Sequence, residues 1–191
     1  MRPAPRYFAV DDGHFTFEDD EAALVGVLTR GAATVEAVTV GRVAVDGLDA
    51  PERVVELVRR LPGAGPDILL TDGVALGGFN ILDLAHLHEA TGMPVVAVTR
   101  RRPDRARMES AIRERLSEPE VRLGRLPKRE ATEVEVVGKR LYVHVEGTRD
   151  DLGTIQALLG PAMGEGGIPE PLRLAHLVAT AVTRGVSGTK A

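Results

Sequence analysis

Aspartate is the residue type in this chain most suited to chemistry, and it recurs where apolar runs end. Asp11-Asp12-Gly13 follows Tyr7–Val10, Asp46-Gly47 follows a Val-rich run, and Asp72-Gly73 follows Ile68–Thr71. Taken singly, an Asp-Gly pair at a strand end is a turn signal, because aspartate bonds its own backbone and glycine accepts the turn geometry. Asp49 has a structural reading too, as a helix N-cap with Glu52 three residues on. Converging carboxylates are a different matter. Two like charges in contact cannot both stay ionised cheaply unless a cation sits between them. Mg²⁺ suits that place, since it takes oxygen ligands and keeps waters for substrate phosphates, and Mn²⁺ can substitute. The expected site is Asp11 with Asp72, completed by Asp49 or Asp46.

Other candidates stand near these ends. Arg100, Arg101, Arg102, Arg105 and Arg107 crowd the end of the apolar run Pro94–Thr99. They either grip phosphates without reading sequence or form a solvated surface. Gly73–Gly78 is glycine-rich but matches neither dinucleotide nor P-loop patterns, so it either cradles a phosphate or allows close packing. His86 and His88 are two apart and face different ways on a helix. With no cysteine in the chain, thiolate zinc sites, disulfides and cysteine nucleophiles are excluded. No G-x-S-x-G elbow is present.

The elements that must hold these residues can be read from periodicity. Tyr7–Val10, Ala23–Thr29 and Val35–Val45 are expected strands, the third disturbed at Gly41-Arg42. Val54, Val55, Leu57, Val58 and Leu61 recur at helical spacing after Asp49 and Pro51, and Pro62–Pro66 ends that helix. Ile68–Thr71 is a fourth strand, Ile81–Thr91 a helix capped by Asn80, and Pro94–Thr99 a fifth strand, apolar throughout as a doubly covered parallel strand should be. Asp104–Leu116 reads as a charged helix and Val134–Val145 as a hairpin. Leu152–Leu159 and Leu172–Thr183 read as helices, and 185–191 as a mobile tail. Three strands in succession pair as a meander, and the later ones need helical crossovers and so run parallel to the first. That order predicts an α/β, ribonuclease-H-like mixed sheet with flanking helices and a small C-terminal hairpin, in which strands one and four are neighbours.

Composition sets limits on partners. The 191 residues suit one domain, and 43% hydrophobic against 27% charged residues can build a core. Net charge is −4, so a polyanion would need a local basic patch, and only Tyr7, Phe8, Phe15, Phe17, Phe79 and Tyr142 offer rings for stacking. No signal peptide or membrane span is expected, and a cytoplasmic location fits the lack of cysteine.

The stretches Val10–Gly13, Val45–Asp49, Thr71–Leu84 (TDGVALGGFNILDL) and Ile168–His176 (IPEPLRLAH) resemble the endonuclease dU family, which is mostly archaeal and considered related to endonuclease V. The resemblance runs from about Tyr7 to Gly185. It implies a metal-dependent endonuclease acting on nucleic acid with a deaminated base, deoxyuridine first, in DNA repair. It makes Asp11, Asp49 and Asp72 the catalytic set, and places Asp12, Gly77, Gly78, Phe79, Asn80, Asp83, Arg100 and Arg173 around the metal or the substrate. In endonuclease V a glutamate stands where this chain offers Asp46, Asp49 and Glu52, and its Pro-Tyr wedge has no match here. Two other readings follow from those departures and from the charge: a non-catalytic nucleic-acid-binding module, and a small-molecule phosphohydrolase.

Overall fold

The computed structural model describes residues 4–16, 18–63 and 65–188. Phe17, Ala64 and the last three residues of the expected tail lie outside these. The chain runs β1 (Arg6–Asp12), β2 (Glu21–Arg30), β3 (Thr34–Ala44), α1 (Ala50–Arg59), β4 (Ile68–Asp72), β5 (Ala75–Leu76), β6 (Asn80–Ile81), α2 (Leu84–Thr91), β7 (Val95–Thr99), α3 (Arg105–Arg115), α4 (Pro119–Arg125), β8 (Thr132–Val136), β9 (Lys139–Glu146), α5 (Leu152–Leu159), a short 3-10 turn and α6 (Glu170–Arg184).

Seven strands form one mixed sheet in the order β3-β2-β1-β4-β7-β9-β8. The first three strands make the expected meander, and β1 pairs β4 in parallel, Val10 opposite Thr71. β7 lies parallel beside β4, so the C-terminal ends of β1, β4 and β7 form one rim. The expected C-terminal hairpin is β8–β9, and its β9 joins β7 antiparallel and so carries the sheet on to β8.

The alternation of β1 explains the two layers. Phe8 and Val10 enter a cluster with Leu57 of α1 and Leu87 of α2, while Tyr7 and Ala9 enter another with Ile155 of α5 and Leu172, Ala175 and Ala179 of α6. Successive side chains must face opposite ways. Asp11 therefore belongs to the α6 face and Asp12 to the α1 face.

Three expectations are corrected, and one helix is added. The register shift between β2 and β3 falls at Leu28/Thr29, not at Gly41-Arg42. α2 starts at Leu84 with Asp83 as its cap, because Asn80-Ile81 pairs with Ala75-Leu76. Asp49 is the N-cap residue of α1, yet its carboxylate makes no capping bond and is drawn elsewhere. α4 was unforeseen; its seven residues, Pro119–Arg125, carry too short an apolar pattern to announce a helix.

Candidate active site

Asp11 sits at the floor of the rim, 5% exposed. One of its oxygens accepts the backbone N–H of Asp12 at 2.9 Å, and the other faces Nδ1 of His176, on α6, at 2.8 Å. The β1/β4 register pairs Ala9 with Leu70 and Val10 with Thr71, so the next step sets Asp11 beside Asp72. Leu70 shares the α6-side cluster, and alternation along β4 turns Asp72 to that same face. Asp72 itself is open to solvent.

The electrostatics follow from this crowding. Burial, then the charges of Asp72 and Asp12, push the Asp11 carboxyl up to about 7, against the pull of His176. Asp12 is raised by burial and by Asp72, opposed by the N–H that Gly77 donates to it. Asp72, though open to solvent on its outer side, is raised by partial desolvation against the neighbouring protein, opposed by Arg100 and His176. A site that raises three carboxyls together is short of positive charge.

Cations stand at the edge. Arg100, exposed just past β7, comes within reach of Asp72, and its side chain would lie 3.6 Å from a Cβ at Gly167. Arg173, one turn before His176 on α6, is clamped by Glu170 through bonds of 2.9 and 2.5 Å. A cleft of about 390 Å³ opens beside Asp12 and His176, lined also by His14, Phe15, Thr180 and Arg184.

The expected third carboxylate is not brought to this pair. Asp49 accepts Ala44 N–H at 3.2 Å, Asn80 Nδ2 at 2.7 Å and Arg53 Nε at 2.9 Å. Burial alone would raise it, but these donors outweigh burial and hold it below the usual range. Asp46, in a left-handed conformation at φ 51, accepts the Phe79 N–H at 2.8 Å. Among the described residues, no three histidine, aspartate or glutamate side chains converge as a ready metal cage. The donor chemistry of Asp11 and Asp72 still fits Mg²⁺, which is held by one or two carboxylates together with substrate phosphates rather than by an all-protein cage.

Asp46 and Asp49 belong instead to a scaffold that locks the glycine loop. Asn80 is fully buried; its Oδ1 accepts Ala50 N–H at 2.9 Å, so it caps α1 rather than α2. Its Nδ2 donates to Asp49 and to Ala44 O. Gly77 O accepts from Asp46 N, and at Gly78, φ 84, any Cβ would stand 2.4 Å from an Asp46 oxygen. Arg122, 1% exposed, donates to the carbonyls of Asp46, Gly47, Phe79 and Ser117, and Arg125 to Leu48 O. The Gly77–Asn80 segment is thus held by its own protein, and the ring of Phe79 packs against the core. Asp83 is committed to the N–H of His86.

Two residues were missed by sequence reasoning. His176 closes the motif Ile168–His176, and its place one helical turn after Arg173 was the available signal. Arg122 carried none, since its helix was not foreseen.

The family model for endonuclease dU matches residues 3–183, and the chain belongs to that family. A UPF0215 protein of Methanopyrus kandleri is 37% identical over 196 residues, spanning 100% of this chain and 98% of its own. A solved protein of unknown function from Archaeoglobus fulgidus superposes with TM-score 0.80 at 30% identity, covering 96% of this chain and 99% of that one. The catalytic domain of human endonuclease V gives TM-score 0.62 at 20% identity, covering 95% and 83%. Endonuclease V of Ciona intestinalis, solved with a 23mer DNA containing an inosine followed by a ribo-adenosine, gives 0.57 at 14%, covering 90% and 82%. The fold is therefore the ribonuclease-H-like, endonuclease V-like one.

Proposed function

We propose that this member of the endonuclease dU family is a divalent-metal-dependent endonuclease that hydrolyses a phosphodiester bond in DNA carrying a deaminated base, deoxyuridine foremost. The observation that carries this reading is the Asp11–Asp72 pair: two carboxylates one register step beyond Val10–Thr71, on one face of the rim, with the charge of Asp72 helping to raise Asp11 against the pull of His176. The family assignment and the DNA held by the Ciona relative support nucleic acid as substrate.

In this reading Asp11 and Asp72 hold Mg²⁺ or Mn²⁺. Such an ion, when bound, acidifies a coordinated water and stabilises charge on the departing oxygen. The chain's own groups do the rest. His176 fixes the orientation of Asp11, and its partly exposed ring lines the cleft beside Asp12. Arg100 offers a guanidinium to the phosphate beside Asp72, and planar donors suit phosphate oxygens. Asp12 keeps the glycine loop in place through Gly77. Asp46 and Asp49 act through that loop and not as ligands.

The test is to incubate the protein with Mg²⁺ or Mn²⁺ and strands bearing deoxyuridine, inosine or no lesion. Metal-dependent nicking of the deoxyuridine strand, lost with chelator and in Asp72→Asn, is expected. No nicking by wild type, or equal nicking by Asp72→Asn, overturns the reading.

A further inference from the structure

We propose that the β8–β9 hairpin is a wedge that parts a DNA duplex beside the carboxylate pair, an inference that rests on the nuclease reading above. The register sets its reach. β7 ends at Thr99, opposite Tyr142, while β9 continues three residues further, to Lys139 and the turn. At about 3.4 Å per residue the tip stands ~10 Å beyond the rim. β9 is two strands from β4, so with strands ~4.8 Å apart the tip lies ~10 Å to the side of Asp72. Asp72 lies level with Val143, four residues below Lys139, so the two offsets combine to put the tip ~17 Å from Asp72, about five stacked base pairs at ~3.4 Å each.

The tip is chemically unusual. Val137 and Gly138 both have left-handed backbones, φ 48 and 71, as a two-residue type I′ turn requires. Asparagine before glycine adopts this at little cost, whereas a β-branched residue is strained there. Val137 gains nothing in return from the fold, for it is 70% exposed. The hairpin is anchored without it, through buried Val134, Val136, Leu141 and Val143. A strained apolar residue held out in water points to a partner that covers it.

The surrounding charge says which partner. Among the described residues, Arg100, Arg101 and Lys139 are exposed and make no ion pair. Arg102 lies 5.3 Å from the centre of the Tyr142 ring and shares Glu133 with Arg140. This run of cations leads from Asp72 to the tip, on a chain whose net charge is −4. An apolar wedge flanked by cations is how proteins unstack a base step while holding the backbone phosphates.

Val137→Asn tests this without threatening the hairpin, since asparagine suits the turn. The probes are a deoxyuridine duplex with 2-aminopurine next to the lesion and the same strand without its complement. The variant should melt a few degrees higher than wild type. It should cleave the duplex about 10-fold or more slowly, the scale of losing part of one unstacking step, and give no 2-aminopurine rise on binding. Single-strand cleavage should be unchanged. Equal duplex cleavage by both proteins, equal losses on both substrates, or a changed oligomeric state in sedimentation overturns the wedge while the nuclease stands. A wild type that neither binds nor cleaves either substrate overturns the nuclease reading and the wedge with it.

Discussion

Asp11 and Asp72 stand side by side, one register step beyond the Val10–Thr71 pairing of two parallel strands, and both turn to the face covered by α6. The protein supplies His176 as a hydrogen-bond partner of Asp11 and Arg100 as a cation near Asp72, which oppose the rise without cancelling it. Replacing one charge should therefore strengthen the metal-free fold. Asp72→Asn is expected to stabilise the chelated protein only modestly, by roughly 0.5 kcal/mol, since solvent around the exposed Asp72 screens the repulsion. The same change should lower cleavage on the order of 10³-fold, as the loss of a preorganised electrostatic group does. Thermal melts with chelator and single-turnover nicking check the two effects, and a variant less stable than wild type would refute the crowding.

The pH dependence follows with a definite sign. Asp11 has a folded-state pKa of about 7 against an ordinary 3.8, and Asp12 and Asp72 move in the same direction. A raised folded pKa gives stability that is fully present below the unfolded value and is lost as pH rises through the folded one. The chelated protein should lose this contribution between pH 4 and 7. Protons and Mg²⁺ compete for the pair, so added Mg²⁺ should raise Tm little at pH 5 and clearly at pH 8. Melts across that range, with and without the ion, decide it; an equal Mg²⁺ effect at both pH values would count against the pair as ligands.

Arg122 is the keystone of the other polar cluster. It is buried and spends its donors on four carbonyls, three of them in the two loops that Asp46 and Asn80 also bind. Arg122→Met would leave those carbonyls buried and unpaired, at ~1–3 kcal/mol each before relaxation. A loss of roughly 3 kcal/mol or more in urea unfolding is expected, with Arg122→Lys recovering only part because lysine lacks the planar fork. If Met were tolerated without loss, the glycine loop would owe its position to something else.

Sheet and first carboxylates were legible for the same reason: both depend on local pattern. Short apolar runs ending in aspartate marked β1 and β4, and strand order made them neighbours. Asp49 and Asn80 show where such reading stops. Each looked like a cap for the helix that follows it, and each has the right residue type. Asn80 caps α1 across 30 residues of sequence, and Asp49 gives its carboxylate to Asn80 in exchange. A bond of that separation leaves no trace in spacing. Arg122 was hidden for a related cause, since its four partners are brought together only by the finished fold.

His176 is a positioning residue in this reading, because it touches Asp11 and not the reacting phosphate. Its Nδ1 lies 2.8 Å from Asp11 Oδ2, while 42% of its side chain remains exposed. The N–H donated at that distance orients the carboxylate, and removing such a partner weakens metal binding 10–100-fold in comparable sites. His176→Ala should raise the Mg²⁺ concentration for half-maximal cleavage by about that factor, with the rate at saturating metal far less affected. His176→Asn places an amide N–H near the lost Nδ1 and should restore most of the affinity. A purely packing role predicts otherwise: both variants would lower Tm alike and leave the metal dependence where it was. If alanine instead abolished cleavage at every metal concentration, the imidazole would be acting on the substrate directly, from its place in the lining of the cleft.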